Sequence, residues 1–188
     1  MTHDAFWELI GLLDGVIDED GADLLQARLA SLSTEVVEGF ATNLADKVRA
    51  LARLPIEGVP VPDASDMGGQ ALSALGDSLE NLLYAIVAAG RANYSAAIEE
   101  PSSIEDGDWD GGEAELLVDA VATVLWSRAC LDWYEDFDPF LADLPADPRW
   151  YETARGSAWK SAPRRGRYCS PLSNSSITRV PHPVCVGR

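Results

Sequence analysis

Histidine is almost missing from this 188-residue chain, with His3 and His182 the only two, and that scarcity removes whole classes of chemistry. Neither a histidine-ligated zinc site nor a Ser-His-Asp arrangement can be assembled from one imidazole near each end. Cysteine is scarce as well: Cys130, Cys169 and Cys185 make an odd count, which argues against a disulfide framework and leaves Cys130 as a small core residue. No apolar run approaches the ~18 residues of a membrane span, and Asp4 and Glu8 stand where a signal peptide needs basic and apolar residues. The chain therefore reads as soluble and cytoplasmic. No glycine-rich phosphate loop occurs, because Gly68-Gly69 follows no strand and lacks the Lys-Ser/Thr that handles phosphates.

Positive charge is scarce over most of the length and concentrated at the end. Residues 1–150 carry thirty acids against seven bases, a net −23, whereas residues 151–188 carry one acid against seven bases, a net +6. So acidic a body disfavours nucleic acid and anionic membranes, and it favours a basic partner. The composition divides the chain into an acidic helical domain, 3–150, and a basic tail, 151–188, whose Gly, Ser, Pro and Arg without periodicity predict disorder. The change near residue 155 is abrupt. A shifted reading frame, electrostatic fold-back onto the body and independent phosphate contact by Arg155, Lys160, Arg164, Arg165 and Arg167 all remain open.

Apolar spacing in the body is helical throughout. Phe6, Leu9, Ile10, Leu13 and Ile17 follow a cap at Thr2 or Asp4. Leu25 and Leu29 mark a short second helix behind the carboxylates Asp18 to Asp23, which suit a helix N-terminus. Val37, Phe40, Leu44, Val48 and Leu51 form a third stripe, with Lys47, Arg49 and Arg53 toward its C-terminal end. Residues 55–69 read as an extended loop. Leu72, Leu75, Leu79, Leu82 and Ile86 open a long helix that Gly76 or Gly90 can break before Pro101. Leu116 to Cys130 read as a central helix, and Asp138-Pro139 as the start of a short last turn. Trp126 and Trp133, seven apart, predict shared core packing. The expected fold is all-α: a compact bundle of about five helices.

The sharpest local signal for chemistry is Asp106, Asp108 and Asp110 ahead of Gly111, since alternating carboxylates and a glycine turn wrap oxygen ligands around calcium. The pattern is half complete: Leu117 stands where an EF-hand needs a bidentate Glu. Capping and dipole attraction explain the same aspartates. Paired carboxylates for a hydrolase are possible but unselective among thirty acids.

Phe6-Trp7-Glu8-Leu9-Ile10, Gly90-Arg91-Ala92-Asn93-Tyr94 and Ala97 through Ile104 resemble the bacterial domain of unknown function 4240 over residues 3–105. That resemblance implies an all-helical fold and supplies no catalytic residue. Within it, Phe6 and Trp7 are expected to anchor the first helix, Arg91 to pair with Glu99 or Asp77, and Gly90 to let helices approach closely. The functional expectation is a non-enzymatic accessory or interaction protein that binds a basic protein, as immunity proteins bind cationic toxins. A calcium-binding domain and a carboxylate hydrolase are the alternatives.

Overall fold

In the computed structural model, residues 1–56, 60–65, 71–73, 77–105, 107, 109, 113–137 and 139 are described, so the tail from residue 151 lies outside the described residues. Thr2, not Asp4, caps the first helix, α1 (His3–Ile10): its Oγ1 accepts from the Ala5 N–H at 3.2 Å. Phe6, Trp7, Leu9 and Ile10 are buried along it. The stripe expected to run on to Ile17 is bent. A 3-10 turn, Gly11–Leu13, ends at Asp14 in the left-handed region, and the reversed chain still returns Ile17 to the core.

Asp18 then opens α2 (Glu19–Ala30), its Oδ1 accepting from the Gly21 N–H at 2.7 Å. The acidic run is therefore a helix start, with Glu19 and Asp20 in the first turn where the macrodipole favours negative charge. Leu25 and Leu29 are buried as their spacing requires. The longest helix, α3 (Thr34–Ala52), buries Val37, Phe40, Leu44, Val48 and Leu51 on the expected stripe. In its first turn Glu35 is held below the usual carboxylate range by its own backbone N–H and then by Ser33.

The next stretch departs from the expectation. Pro60–Ser65 (β1) and Ala71–Ser73 (β2) pair antiparallel, Pro60 opposite Ser73 and Ser65 opposite Ala71, with an irregular register. Proline fixes the backbone at an angle that extended chain accepts and withholds one ladder N–H, which a two-stranded edge tolerates. The next described helix is α4 (Asp77–Ala88), and Leu72 belongs to the strand pair and not to the long helix.

From Leu82 to Ala88 every residue of α4 is buried, because α3, α5 and α6 all pack against it. Together with α6, which packs against α2, α3 and α4, it forms the centre of the bundle. The long helix divides at Gly90, one of the two expected break points, and α5 (Arg91–Glu99) starts afresh. A 3-10 turn, Pro101–Ile104, leads toward α6 (Ala114–Ala129), which buries Leu117, Val121, Val124 and Leu125 and leaves its other side in solvent. Arg128 of α6 donates to the carbonyls of Ala30 and Leu32, satisfying the C-terminal end of α2.

Two expectations about the C-terminal third are corrected. Cys130 is exposed at the left-handed C-cap of α6 and is disulfide-bonded, so it is neither a core residue nor a free thiol. Trp126 is 57% exposed while Trp133 is 1% exposed, so the two indoles do not share the core. After α6 the chain forms a π-helical turn, Trp133–Phe137, whose Trp133 and Phe137 rings stack at 6.1 Å, and the last turn expected from Asp138-Pro139 onward falls on residues that are mostly outside those described. Asp138 lies outside the described residues. The described body is a helical bundle of six α-helices with the small strand pair appended.

Candidate functional site

Two places concentrate functional side chains. The first is the aspartate run. Asp106, Asp108 and Asp110 themselves lie outside the described residues, and among the described residues no group of three or more His, Cys, Asp or Glu is placed to hold a metal ion. The neighbouring turn is described. Trp109 folds back so that its Nε1 donates to the Ile104 carbonyl at 2.8 Å, and its indole lies directly over Gly107, where a Cβ would collide with the ring.

The second place was not legible as a site in the sequence. Trp7 on α1, Lys47 on α3 and Tyr94 on α5 come together, with the Trp7 and Tyr94 rings 5.3 Å apart. The Lys47 ammonium sits 5.8 Å from the Trp7 ring centre and 5.3 Å from that of Tyr94, within reach of both π faces. Trp7 is held in turn by Phe6, edge to face at 5.0 Å, and by its Nε1 donating to His3 Nε2 at 3.1 Å. Beside it Arg91 Nη1 donates to Asp4 Oδ1 at 2.8 Å, joining the start of α5 to the start of α1. Arg91 therefore pairs with Asp4 and, among the described side chains, not with Glu99; the side chain of Asp77 lies outside the described residues.

Gly90 acts differently from the expectation too. Nothing lies within 4 Å of where its Cβ would stand, so it does not admit a close helix approach. Its φ of 93° and ψ of 176° are what it contributes, turning the chain so that Arg91 and Tyr94 face α1.

The electrostatics of the joint follow from partial burial. Lys47 is pushed below its ordinary value by loss of water, an effect partly offset by the adjacent Asp46 carboxylate. The Tyr94 phenol is pushed above its ordinary value, first by burial and then by Asp46. Asp46 itself pairs with Arg49 at 2.7 Å.

The segments meeting here, Phe6-Trp7 and Gly90-Arg91 with Tyr94, are those that carried the resemblance noted above. A family described as protein of unknown function (DUF4240) matches residues 1–128. The chain belongs to that family. The match covers α1 through nearly all of α6, so it takes in the whole helical body up to the last turn of α6. No curated protein and no solved structure matches this DUF4240 chain. No helix among its described residues is long and apolar enough to cross a membrane.

Proposed function

We propose that this DUF4240 protein is a non-enzymatic interaction protein of the bacterial cytoplasm whose acidic helical body receives a basic protein, in the manner of an immunity protein neutralising a cationic toxin. The observation that carries the reading is the charge of −23 over residues 1–150 together with where it stands. Among the described residues no charged side chain is buried. Asp18, Glu19, Asp20 and Asp23 stand exposed at the start of α2, and Glu115 and Asp119 on the outer side of α6. Carboxylates spent on helix starts still project a negative field, because a cap satisfies a backbone N–H without cancelling the charge.

Such a surface raises the encounter rate with a cationic partner and rejects anionic ones. Low-salt capture on the immobilised full-length chain, followed by association kinetics of the captured protein against ionic strength, tests it. The expected result is a basic partner whose association rate falls steeply as salt rises. Capture of no basic protein, or binding indifferent to salt, rejects the reading.

A further inference from the structure

We propose that the chain's own basic C-terminal segment docks on the outer face of α6, tethered there by a disulfide between Cys130 and Cys169, and that a dithiol releases it. The inference needs no outside partner, so its failure would leave the acidic-surface reading standing. Cys130 is disulfide-bonded and exposed at the left-handed C-cap of α6. The chain has two other cysteines, Cys169 and Cys185, and both belong to residues 151–188, which carry the net +6. The bond therefore fastens the basic segment to the end of one helix of the acidic body.

What lies along α6 decides which cysteine is bound and where its neighbours go. Glu115, Asp119 and Trp126 are spaced four and seven apart, which at 3.6 residues per turn places them on one stripe, and all three are exposed. Trp126 is 57% exposed, an unusual state for a side chain with so much apolar surface. Among the described residues neither carboxylate takes part in an ion pair. From Trp126, one turn before Cys130, the stripe runs back about 16 Å to Glu115. Arg164, Arg165 and Arg167 precede Cys169 by two to five residues, an extended reach of about 17 Å before the length of the side chain is added. A guanidinium stacks on an exposed indole and forks onto a carboxylate, so this segment matches the stripe in sign, length and chemistry. Cys185 has Arg179 and Arg188 on opposite sides of it, and they cannot follow one stripe in one direction.

An exposed sulfur is open to thiol–disulfide exchange. One thiolate of a dithiol attacks the sulfur of Cys130, and the sulfur of Cys169 leaves as a thiolate. The second thiol of the reagent then displaces Cys130, so the reagent ends as a disulfide and both cysteines as thiols. In a compartment that keeps thiols reduced the stripe is uncovered, and oxidation covers it.

The test uses the full-length protein equilibrated in a glutathione redox buffer, alkylated and mapped by mass without reduction. The expected result is a Cys130–Cys169 pair; a Cys130–Cys185 pair, or free Cys130, overturns the proposal. Trypsin cleavage after Arg164, Arg165 and Arg167 then separates docking from tethering. At low salt it is expected to run about tenfold slower than in dithiothreitol-treated protein, the protection that one cation–π contact and two exposed ion pairs give together, and to lose that protection at high salt. The triple variant Glu115→Gln, Asp119→Asn, Trp126→Ala is expected to keep the disulfide and an unchanged circular dichroism spectrum while losing the protection. Protection undiminished in that variant would mean a tether without docking and would overturn the proposal.

Discussion

Replacing Gly90 with alanine isolates the turn on which the α1/α5 joint depends. At φ 93° and ψ 176° the residue occupies a region that is essentially glycine-only, where a side chain costs about 1–3 kcal/mol in backbone strain. The cost is uncontaminated by collision, since nothing lies within 4 Å of the added methyl. Alanine also narrows the unfolded ensemble, which returns about 0.4–1 kcal/mol, so the net expectation is a loss of about 1–2 kcal/mol. Gly11 is the control: it too has open space, but its φ of −59° and ψ of −15° are ordinary right-handed helix, so alanine there gains the entropic term without strain. The two substitutions are therefore expected to move stability in opposite directions. Urea denaturation followed by circular dichroism and by tryptophan fluorescence measures both, and the melting temperature of Gly90→Ala should fall by about 2–4 °C per kcal/mol lost. Relaxing the strain by tilting α5 offers no escape, because it would part Arg91 from Asp4 and Tyr94 from Trp7. A Gly90→Ala midpoint equal to or above the wild-type value refutes the strain assigned to this turn.

Asp18→Ala removes the acceptor that holds the Gly21 N–H and is expected to cost about 1 kcal/mol in the same urea assay; a neutral result would assign the acidic run to something other than helix initiation. The pH dependence of Lys47 has a definite sign. Its folded-state value lies below the ordinary 10.5, so between the two the unfolded chain binds the extra proton and stability rises with pH; below the folded value the penalty is constant. Tyr94 works oppositely: its value is raised above 10.0, so stability is lost as pH climbs past 10.0. Measured from pH 8 toward 10.5, wild type should gain stability relative to Lys47→Met, in which the tyrosine contribution is retained, and a flat or falling difference contradicts the assignment.

Residues with near neighbours as partners were legible in the sequence. The stripe Val37, Phe40, Leu44, Val48 and Leu51 needs only helical spacing to be read, and Asp18 needs only its position before Glu19. What misled was context that sequence spacing does not carry. Leu72 and Leu79 keep a helical interval, yet Leu72 pairs in the strand β2 while Leu79 lies in α4; tertiary pairing overrides a weak local preference. Trp126 and Trp133 are two helical turns apart on paper. The left-handed Cys130, φ 54°, ends α6 between them, so their shared face does not survive. The partner of Arg91 lies 87 residues upstream, beyond the reach of i,i+4 spacing.

The family signature and the acidic charge mark different parts of the molecule. Phe6-Trp7 and Gly90-Arg91 with Tyr94 are far apart in sequence and meet beside α3, whose Lys47 ammonium stands 5.8 Å from the Trp7 ring centre and 5.3 Å from that of Tyr94 and whose Phe40 packs on Phe6 at 5.1 Å. Their role in the described structure is to join α1 to α5 by way of α3. The joint contains one exposed ion pair, Asp4–Arg91, of the kind that contributes little to stability by itself. Burial of Phe6 and Trp7 must then carry most of its energy, with Gly90 setting the geometry. The acidic surface follows a different logic, since Glu19, Asp20, Glu115 and Asp119 touch none of the signature residues and replacing them leaves the joint intact. A chain could thus keep the DUF4240 fold while losing the charge, at a modest cost to the starts of α2 and α6 where Glu19, Asp20 and Glu115 stand, and the proposed basic partner would register the larger loss.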